Sequence, residues 1–163
     1  MHLGAASMIG ATGSNGSDNG VSEDQDFLTF SNEDLKEVSS IGYTVHNLVI
    51  NDPKKISNDD IKRIKDNFEK NSLILGQTNG RYGGGLVSPN ENIRQDAIQF
   101  VKDMCIVTSK LNAPNTYLRP GSVNPNGPWL PHPDNHTDVV FERLVNSTKD
   151  IISEAEKEGV KLS

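Results

Sequence analysis

The sequence is poor in cysteine and in positive charge. Its single cysteine, Cys105, has no partner for an internal disulfide, and nothing in the composition requires an oxidising compartment, so we expect a cytoplasmic protein. We also expect Cys105 to be a buried, small apolar residue of a helix. Sixteen basic residues stand against 22 acidic ones, which leaves a net charge of −6. A negative chain without a basic patch is repelled by phosphate backbones, which argues against a nucleic-acid partner.

Long apolar runs are also missing. The run at residues 3–11 (LGAASMIGA) has no basic leader and is too short to span a membrane, so we expect no membrane partner. The chain has 163 residues, of which 34% are hydrophobic and 23% charged. That composition is typical of one globular domain, or of part of a larger one.

The chain does contain a repeated pattern of helix-like and strand-like runs. Four times an amphipathic run ends at a Gly or Asn, and an extended apolar run follows. The pattern predicts helices at 31–42, 58–71, 88–112 and 137–159. It predicts strands at 2–8, 43–52, 72–79 and 115–124, and a fifth strand that opens at 160–163. For the last helix, the predicted buried face comprises Phe141, Leu144, Val145, Thr148, Ile151, Ile152 and Ala155.

Strands that alternate with helices of this length predict an α/β fold with parallel strands. Two architectures fit, an open doubly wound sheet or the N-terminal half of a (β/α)8 barrel, since a whole barrel needs about 250 residues. The chain stops at Ser163, just after its last strand begins, which predicts a domain truncated at its C-terminal end. The alternative is a short tail after a complete four-stranded sheet.

In both architectures ligands bind beyond the carboxyl ends of the strands, where the connecting segments of this chain are long. The glycine-rich segment 13–20 is either an anion cradle or a plain loop, and segment 80–85 is either a lid or a plain turn. The segment 118–136 is rich in proline and holds Arg119, the only tryptophan, and two histidines. We expect Arg119 to lie in a strand and either to contact substrate or an anion, or to pair with a buried acid.

Three other side chains of that segment have open alternatives. Trp129 either stacks on a sugar ring or caps the end of the barrel. His132 and His136 have the i, i+4 spacing of metal ligands, but Pro133 lies between them and no third ligand is adjacent. Hydrogen bonding to substrate and a structural or capping role are the other options for the two histidines.

The stretch from Ser88 to His136 resembles the xylose isomerase-like TIM barrels. That family comprises sugar-phosphate isomerases and epimerases and the related apurinic endonucleases of the endonuclease IV type. The matching residues are Ser88 and Pro89, Arg94, Ala97 and Ile98, the turn Leu111, Asn112 and Ala113, and the strand end Pro120, Gly121 and Ser122. The endonuclease branch carries a metal-binding His where this chain has Arg119, and a guanidinium has no lone pair for a metal. The resemblance therefore favours the isomerase and epimerase branch.

In that branch a divalent metal stabilises an enediol-type intermediate while two glutamates move the proton. The resemblance implies manganese or magnesium, with zinc or cobalt as alternatives, held by residues beyond Ser163, where the catalytic residues are also expected. No metal ligand maps onto this chain. What the chain is expected to contribute is the substrate-binding wall, made of Arg119, Asn124, Trp129, His132 and His136.

The sequence thus predicts that residues 1–163 are a single partial barrel domain of a metal-dependent sugar or sugar-phosphate isomerase or epimerase, inactive alone. An endonuclease IV-like enzyme and a non-catalytic carbohydrate-binding or assembly module are the alternatives. A half-barrel leaves two strand edges exposed, so a homo-oligomer is a further option.

Overall fold

The computed structural model describes residues 4–6 and 32–163, in which strands and helices alternate. The strands are β1 (Gly4–Ala6), β2 (Val45–Ile50), β3 (Ile74–Gly80), β4 (Asn115–Tyr117) and β5 (Lys161–Leu162). The helices are α1 (Asn32–Ser40), α2 (Asn58–Lys70), α3 (Glu91–Lys110) and α4 (Asp138–Glu158). Short 3₁₀ turns lie at Pro53–Lys55, Gly85–Val87 and Pro133–His136. The glycine-rich segment 13–20 lies outside the described residues.

The five strands form one parallel sheet in the order β1-β2-β3-β4-β5. Each strand therefore pairs with the next strand along the chain, and the order never reverses. A doubly wound sheet needs such a reversal, whereas a (β/α)8 barrel adds its strands in sequence with all helices outside. The predicted half-barrel is confirmed, and the doubly wound alternative is wrong.

Local sequence fixes where the helices begin and end. At the start of α2, the Ser57 hydroxyl accepts a hydrogen bond from the Asp60 N–H, and the Asp60 carboxylate accepts one from the Ser57 N–H. This reciprocal pair satisfies N–H groups that the first helical turn leaves open. Helix α4 ends at Gly159, whose left-handed backbone (φ 67°) favours glycine.

Two clusters of buried side chains lie between the sheet and the helices. The first joins α1, α2 and α3 to β2 and includes Leu48 and Ile50. The second joins α3 and α4 to Tyr82 and Leu86, which follow β3, and to β5. The predicted burial of Cys105 is confirmed, and burial raises the pKa of its thiol to about 11. His46 is also buried, which lowers the pKa of its imidazole. Among the described residues, no helix is long and apolar enough to cross a membrane.

The predicted buried face of α4 is partly wrong. Phe141 and Ile152 are 64% and 38% exposed, whereas the buried residues of α4 are Val140, Ser147, Ile151 and Ala155. The helix is turned so that Ser147 faces the sheet side, where its hydroxyl donates to the Leu86 carbonyl at 2.8 Å. This hydrogen bond makes a buried serine acceptable and leaves Phe141 in solvent.

The sheet has a second face, on the side away from the helices, that we call the inner face. Thr78 and Gly80 point toward α3, since the Thr78 hydroxyl hydrogen-bonds Thr108 and a Cβ on Gly80 would meet Phe100. Residues that alternate with them along β3, Gln77 and Asn79, therefore point inward. Near β4 and β5 the inner face is polar, since the amides of Gln77 and Asn115 both donate to the Ser163 hydroxyl, at 2.8 and 2.9 Å.

Candidate functional site

The carboxyl ends of β3 and β4 carry the candidate site. Strand β4 is shorter than predicted and ends at Tyr117, so the expectation that Arg119 lies in a strand is wrong. One more sheet hydrogen bond follows, from the Leu118 N–H to the Ser163 carbonyl at 2.8 Å. Pro120 has no N–H to donate, and the chain turns at Gly121 (φ 84°). Arg119 therefore sits in the loop that leaves the sheet.

Aromatic rings surround the Arg119 guanidinium. Its central carbon lies 4.4 Å from the ring centre of Trp129 and 5.9 Å from those of Tyr82 and Tyr117. Nη1 donates to the Tyr82 carbonyl at 3.3 Å, while the buried Nε has no hydrogen-bond partner among the described residues. In that same part of the chain no carboxylate forms an ion pair with Arg119. Cation–π contacts take the place of the buried acid considered above.

Tyr82 fixes the backbone of Arg119, and sequence reasoning missed it. The Tyr82 hydroxyl donates to the Arg119 carbonyl at 3.0 Å and accepts from the Arg119 N–H. Burial raises the pKa of Tyr82 to about 12, so the phenol stays protonated and can make both bonds. The signal in the sequence was an aromatic residue in the glycine-rich segment 80–85, but its partner lies 37 positions away.

The two loops at this end of the sheet touch through glycines. Gly84 (φ 68°) belongs to the β3–α3 loop (81–90), and Gly121 belongs to the β4–α4 loop (118–137). A Cβ on Gly84 would lie 2.7 Å from the Gly121 Cα, and a Cβ on Gly121 would overlap the Gly84 carbonyl oxygen. Only glycine at both positions permits this approach. The 80–85 segment is thus packed against the neighbouring loop rather than standing free as a lid.

A hydrogen-bond network shapes the β4–α4 loop and includes Asn124. Its amide nitrogen donates to the Pro131 carbonyl at 2.9 Å, and its amide oxygen accepts from the Asn126 N–H at 2.9 Å. Asn135, which the sequence did not single out, accepts from the Val123 N–H at 3.0 Å and donates to the Ser122 hydroxyl at 2.9 Å. These bonds hold the loop in shape, and substrate contact by Asn124 stays a prediction.

Trp129 is the most exposed part of the site. It is 66% exposed, and Arg119 lies against its ring. The ring thus offers a flat apolar surface to solvent at the mouth of the half-barrel.

The two histidines lie at either end of the 3₁₀ turn Pro133–His136. Nδ1 of His132 accepts from the Asp134 N–H at 3.2 Å and so caps the turn. His136 is the last residue of the turn, and its side chain is exposed. Pro133 occupies the first position of the turn, where its missing N–H is tolerated. A capping role for His132 is therefore observed, whereas substrate contact by His132 or His136 stays a prediction.

A comparison with protein families finds a match that covers most of the chain. The model of the xylose isomerase-like TIM barrel matches residues 35–163. This chain belongs to the xylose isomerase-like TIM barrel family. No curated protein is similar enough in sequence to count as a relative.

Solved structures with the same fold include several sugar epimerases. D-Psicose 3-epimerase with D-tagatose from Clostridium cellulolyticum H10 superposes with a TM-score of 0.60 at 20% identity, over 80% of this chain and 45% of that one. The 3-keto-D-glucoside 4-epimerase from E. coli superposes with a TM-score of 0.64 at 13% identity, over 80% of this chain and 49% of that one. D-Allulose 3-epimerase from Methylomonas sp. in complex with D-allulose superposes with a TM-score of 0.63 at 13% identity, over 85% of this chain and 46% of that one. This xylose isomerase-like chain thus spans a little under half the length of the structures it matches.

The residues of this xylose isomerase-like half-barrel do not by themselves form a metal centre. In residues 4–6 and 32–163 no group of three or more His, Cys, Asp or Glu could hold a metal ion. On the Pro133–His136 turn, Nδ1 of His132 already accepts a backbone hydrogen bond, so that nitrogen is not free to bind a metal. The described residues therefore supply no complete set of metal ligands.

Proposed function

We propose that this chain is the N-terminal half of a sugar isomerase or epimerase barrel and supplies the substrate-binding wall. In the proposed reaction a proton moves between sugar carbons through an enediol-type intermediate. The proton-transfer groups and the metal ligands belong to the other half of the barrel. The epimerase names among the solved structures of this fold support the reaction class, and D-tagatose and D-allulose bound to two of them support a ketose substrate.

The observation that carries the proposal is the exposed ring of Trp129 beside Arg119, at the carboxyl ends of the strands. Active sites of barrel enzymes lie at this end of the strands. The apolar face of a sugar ring packs well on a flat aromatic surface, while its hydroxyls need donors and acceptors close by. Arg119 and the polar β4–α4 loop offer such groups next to the Trp129 ring.

Two features favour a sugar substrate over abasic DNA. The permanently charged Arg119 cannot ligate a metal at the position where the endonuclease branch uses His. The chain carries a net charge of −6, which opposes association with a polyanion.

The direct test compares the full-length protein that contains this chain with residues 1–163 alone. Each is given Mn²⁺ or Mg²⁺ and a panel of ketohexoses and aldose–ketose pairs, and the products are separated by chromatography. We expect the full-length protein to interconvert at least one epimeric or isomeric pair, and residues 1–163 to show no turnover.

The same preparations are given a duplex that contains an abasic site. Strand cleavage by the full-length protein, without sugar turnover, would show that the nuclease branch is the correct one. Sugar turnover by residues 1–163 alone would contradict the assignment of the catalytic groups to the other half of the barrel.

A further inference from the structure

We propose that Arg81 and Arg119 together form a subsite for a phosphate monoester at the mouth of the half-barrel. This inference rests on the proposed function, because that function makes the whole substrate a sugar. The subsite then narrows the substrate class to phosphorylated sugars. Binding of the phosphate group itself depends only on the geometry of the two arginines.

The register of the sheet places the two arginines opposite each other. Thr78 pairs with Thr116 and Asn79 with Tyr117, and continuation of that register by two residues brings Arg81 opposite Arg119. A contact confirms the proximity, because Nη1 of Arg119 reaches the carbonyl of Tyr82, the residue after Arg81.

The Arg81 side chain lies on the inner face. Gly80 is directed at α3 and the ring of Tyr82 is buried in the cluster between α3 and α4, so Arg81, between them, points away from the helices. Leu118 is likewise packed against that cluster, and the guanidinium of its neighbour Arg119 lies against the rings of Tyr82, Tyr117 and Trp129. Arg81 is also exposed, so a ligand can reach it.

Within residues 4–6 and 32–163, neither arginine has a carboxylate partner, unlike two other arginines of the chain. Arg63 pairs with Asp60 at 2.9 Å, and Arg94 pairs with Glu91. Among the residues that the structure describes, Arg81 takes part in no ion pair, and Nε of Arg119 is buried without a hydrogen-bond acceptor. A guanidinium without a carboxylate partner keeps its charge and its forked N–H donors for an oxyanion, and such charge-assisted hydrogen bonds are the strong ones.

Few acids lie near the two arginines in the part of the chain that the structure describes. Strands β2 to β5 contain no Asp or Glu, and neither does the β3–α3 loop. In the β4–α4 loop the one acid is Asp134, at the far end beside His132, and Asp52, which follows β2, pairs with Lys55. The described residues thus leave the positive charge of the two arginines largely uncompensated.

Two guanidiniums favour a phosphate monoester over a carboxylate. At neutral pH a phosphate monoester carries about −1.5 to −2 charges and three acceptor oxygens, which match two forked donors. A carboxylate carries one charge and two oxygens, and one arginine satisfies it.

The test measures binding of inorganic phosphate to residues 1–163 by isothermal titration calorimetry at constant ionic strength. We expect saturable binding that Arg81→Gln weakens by about tenfold or more, the loss typical of one charge-assisted hydrogen-bonded contact. Arg81→Lys keeps the charge but loses the forked donors of the guanidinium. Its affinity for phosphate should therefore fall between that of the unsubstituted chain and that of Arg81→Gln. Because Arg81 is exposed, these variants should fold, and circular dichroism checks that they do.

Arg63→Gln is the matched control, since it removes the same charge from the outer helix α2 and should leave phosphate binding unchanged. Absence of saturable binding, or an equal loss in Arg63→Gln and Arg81→Gln, would overturn the subsite. Tighter binding of acetate than of phosphate would also overturn the subsite. Tighter binding of duplex DNA with an abasic site than of phosphate would do so as well.

These outcomes are separable from those of the proposed function. Phosphate binding without any sugar turnover by the full-length protein leaves the subsite standing and removes the enzyme assignment. Turnover of unphosphorylated sugars, with no phosphate binding, removes the subsite and leaves the enzyme assignment standing.

Discussion

The hydroxyl of Tyr82 hydrogen-bonds both the N–H and the carbonyl of Arg119, with the bond to the carbonyl 3.0 Å long. The phenol thus makes the two backbone hydrogen bonds that a neighbouring strand makes with a residue inside the sheet. It holds Arg119 in a fixed position just past the end of β4, where the proposed substrate wall begins. The pairing joins the β3–α3 and β4–α4 loops at the same place as the contact between Gly84 and Gly121.

Tyr82→Phe should destabilise the chain, because it removes one hydroxyl and leaves two backbone groups of Arg119 without partners. The expected loss in the free energy of unfolding is about 1–3 kcal/mol, measured by urea denaturation. Tyr43→Phe is the matched control, since the Tyr43 hydroxyl makes no hydrogen bond among the described residues, and should change stability by about 0.5 kcal/mol or less. Equal effects of the two changes would show that the Tyr82 bonds carry no net stability.

The same phenol predicts a loss of stability at alkaline pH. The pKa of Tyr82 rises from 10.0 to about 12 on folding, so below pH 10 the phenol is protonated in both states. Between pH 10 and 12 the unfolded chain releases the proton first, which favours unfolding by about 1.4 kcal/mol per pH unit. Tyr82→Phe lacks this contribution, so its stability should approach that of the unsubstituted chain as pH rises from 9 to 11. A constant difference across that range would contradict the assigned pKa.

Gly121→Ala should disrupt the contact between the two loops. The added Cβ would overlap the Gly84 carbonyl oxygen, and Gly121 also has a positive φ of 84°. Gly42→Ala separates the two causes, because Gly42 has a φ of 98° but no atom within 4 Å of the new Cβ. We expect Gly42→Ala to lose about 1–2 kcal/mol from backbone strain alone, and Gly121→Ala to lose about 1–3 kcal/mol more. Similar melting temperatures for the two variants would show that the loops can separate freely.

The orientation of α4 predicts opposite outcomes for two neighbouring faces of that helix. Ile151 is fully buried, so Ile151→Ala should lose about 2–5 kcal/mol in the free energy of unfolding. Phe141 is 64% exposed, so Phe141→Ala should change stability by about 0.5 kcal/mol or less. A larger loss at Phe141 than at Ile151, measured on residues 1–163, would contradict the observed exposure of Phe141.

Most of the architecture was predictable from local patterns. Alternating periods and helix-ending Gly and Asn residues located four helices and five strands, and the apolar residues Ile61, Ile64 and Phe68, which share one face of α2, are all buried. These features depend on neighbours within a few turns of the chain. The order of strands followed once a family resemblance favoured a barrel over a doubly wound sheet, which periodicity alone left open.

Features that depend on distant partners were not predictable. The short β4 follows from Pro120 and the turn at Gly121, and the orientation of α4 depends on a carbonyl at Leu86 that can accept from Ser147. An apolar stripe that contains a serine looks weaker than one that contains Phe141, so the pattern included Phe141 in the buried face and left Ser147 out. The pairing of Tyr82 with Arg119 required the register between β3 and β4, which no local signal supplies.

The most direct test of the substrate wall is solvent-proton exchange at the sugar carbon next to the carbonyl. The full-length protein with Mn²⁺ is incubated with its ketose in D₂O, and deuterium incorporation is followed by NMR for the unsubstituted protein, Trp129→Ala and Phe141→Ala. Phe141 is a suitable control because its exposure, 64%, matches the 66% of Trp129. We predict exchange that Trp129→Ala slows by about tenfold or more through loss of ring stacking, and that Phe141→Ala leaves unchanged. Exchange at the same rate in the Trp129→Ala variant would contradict the account.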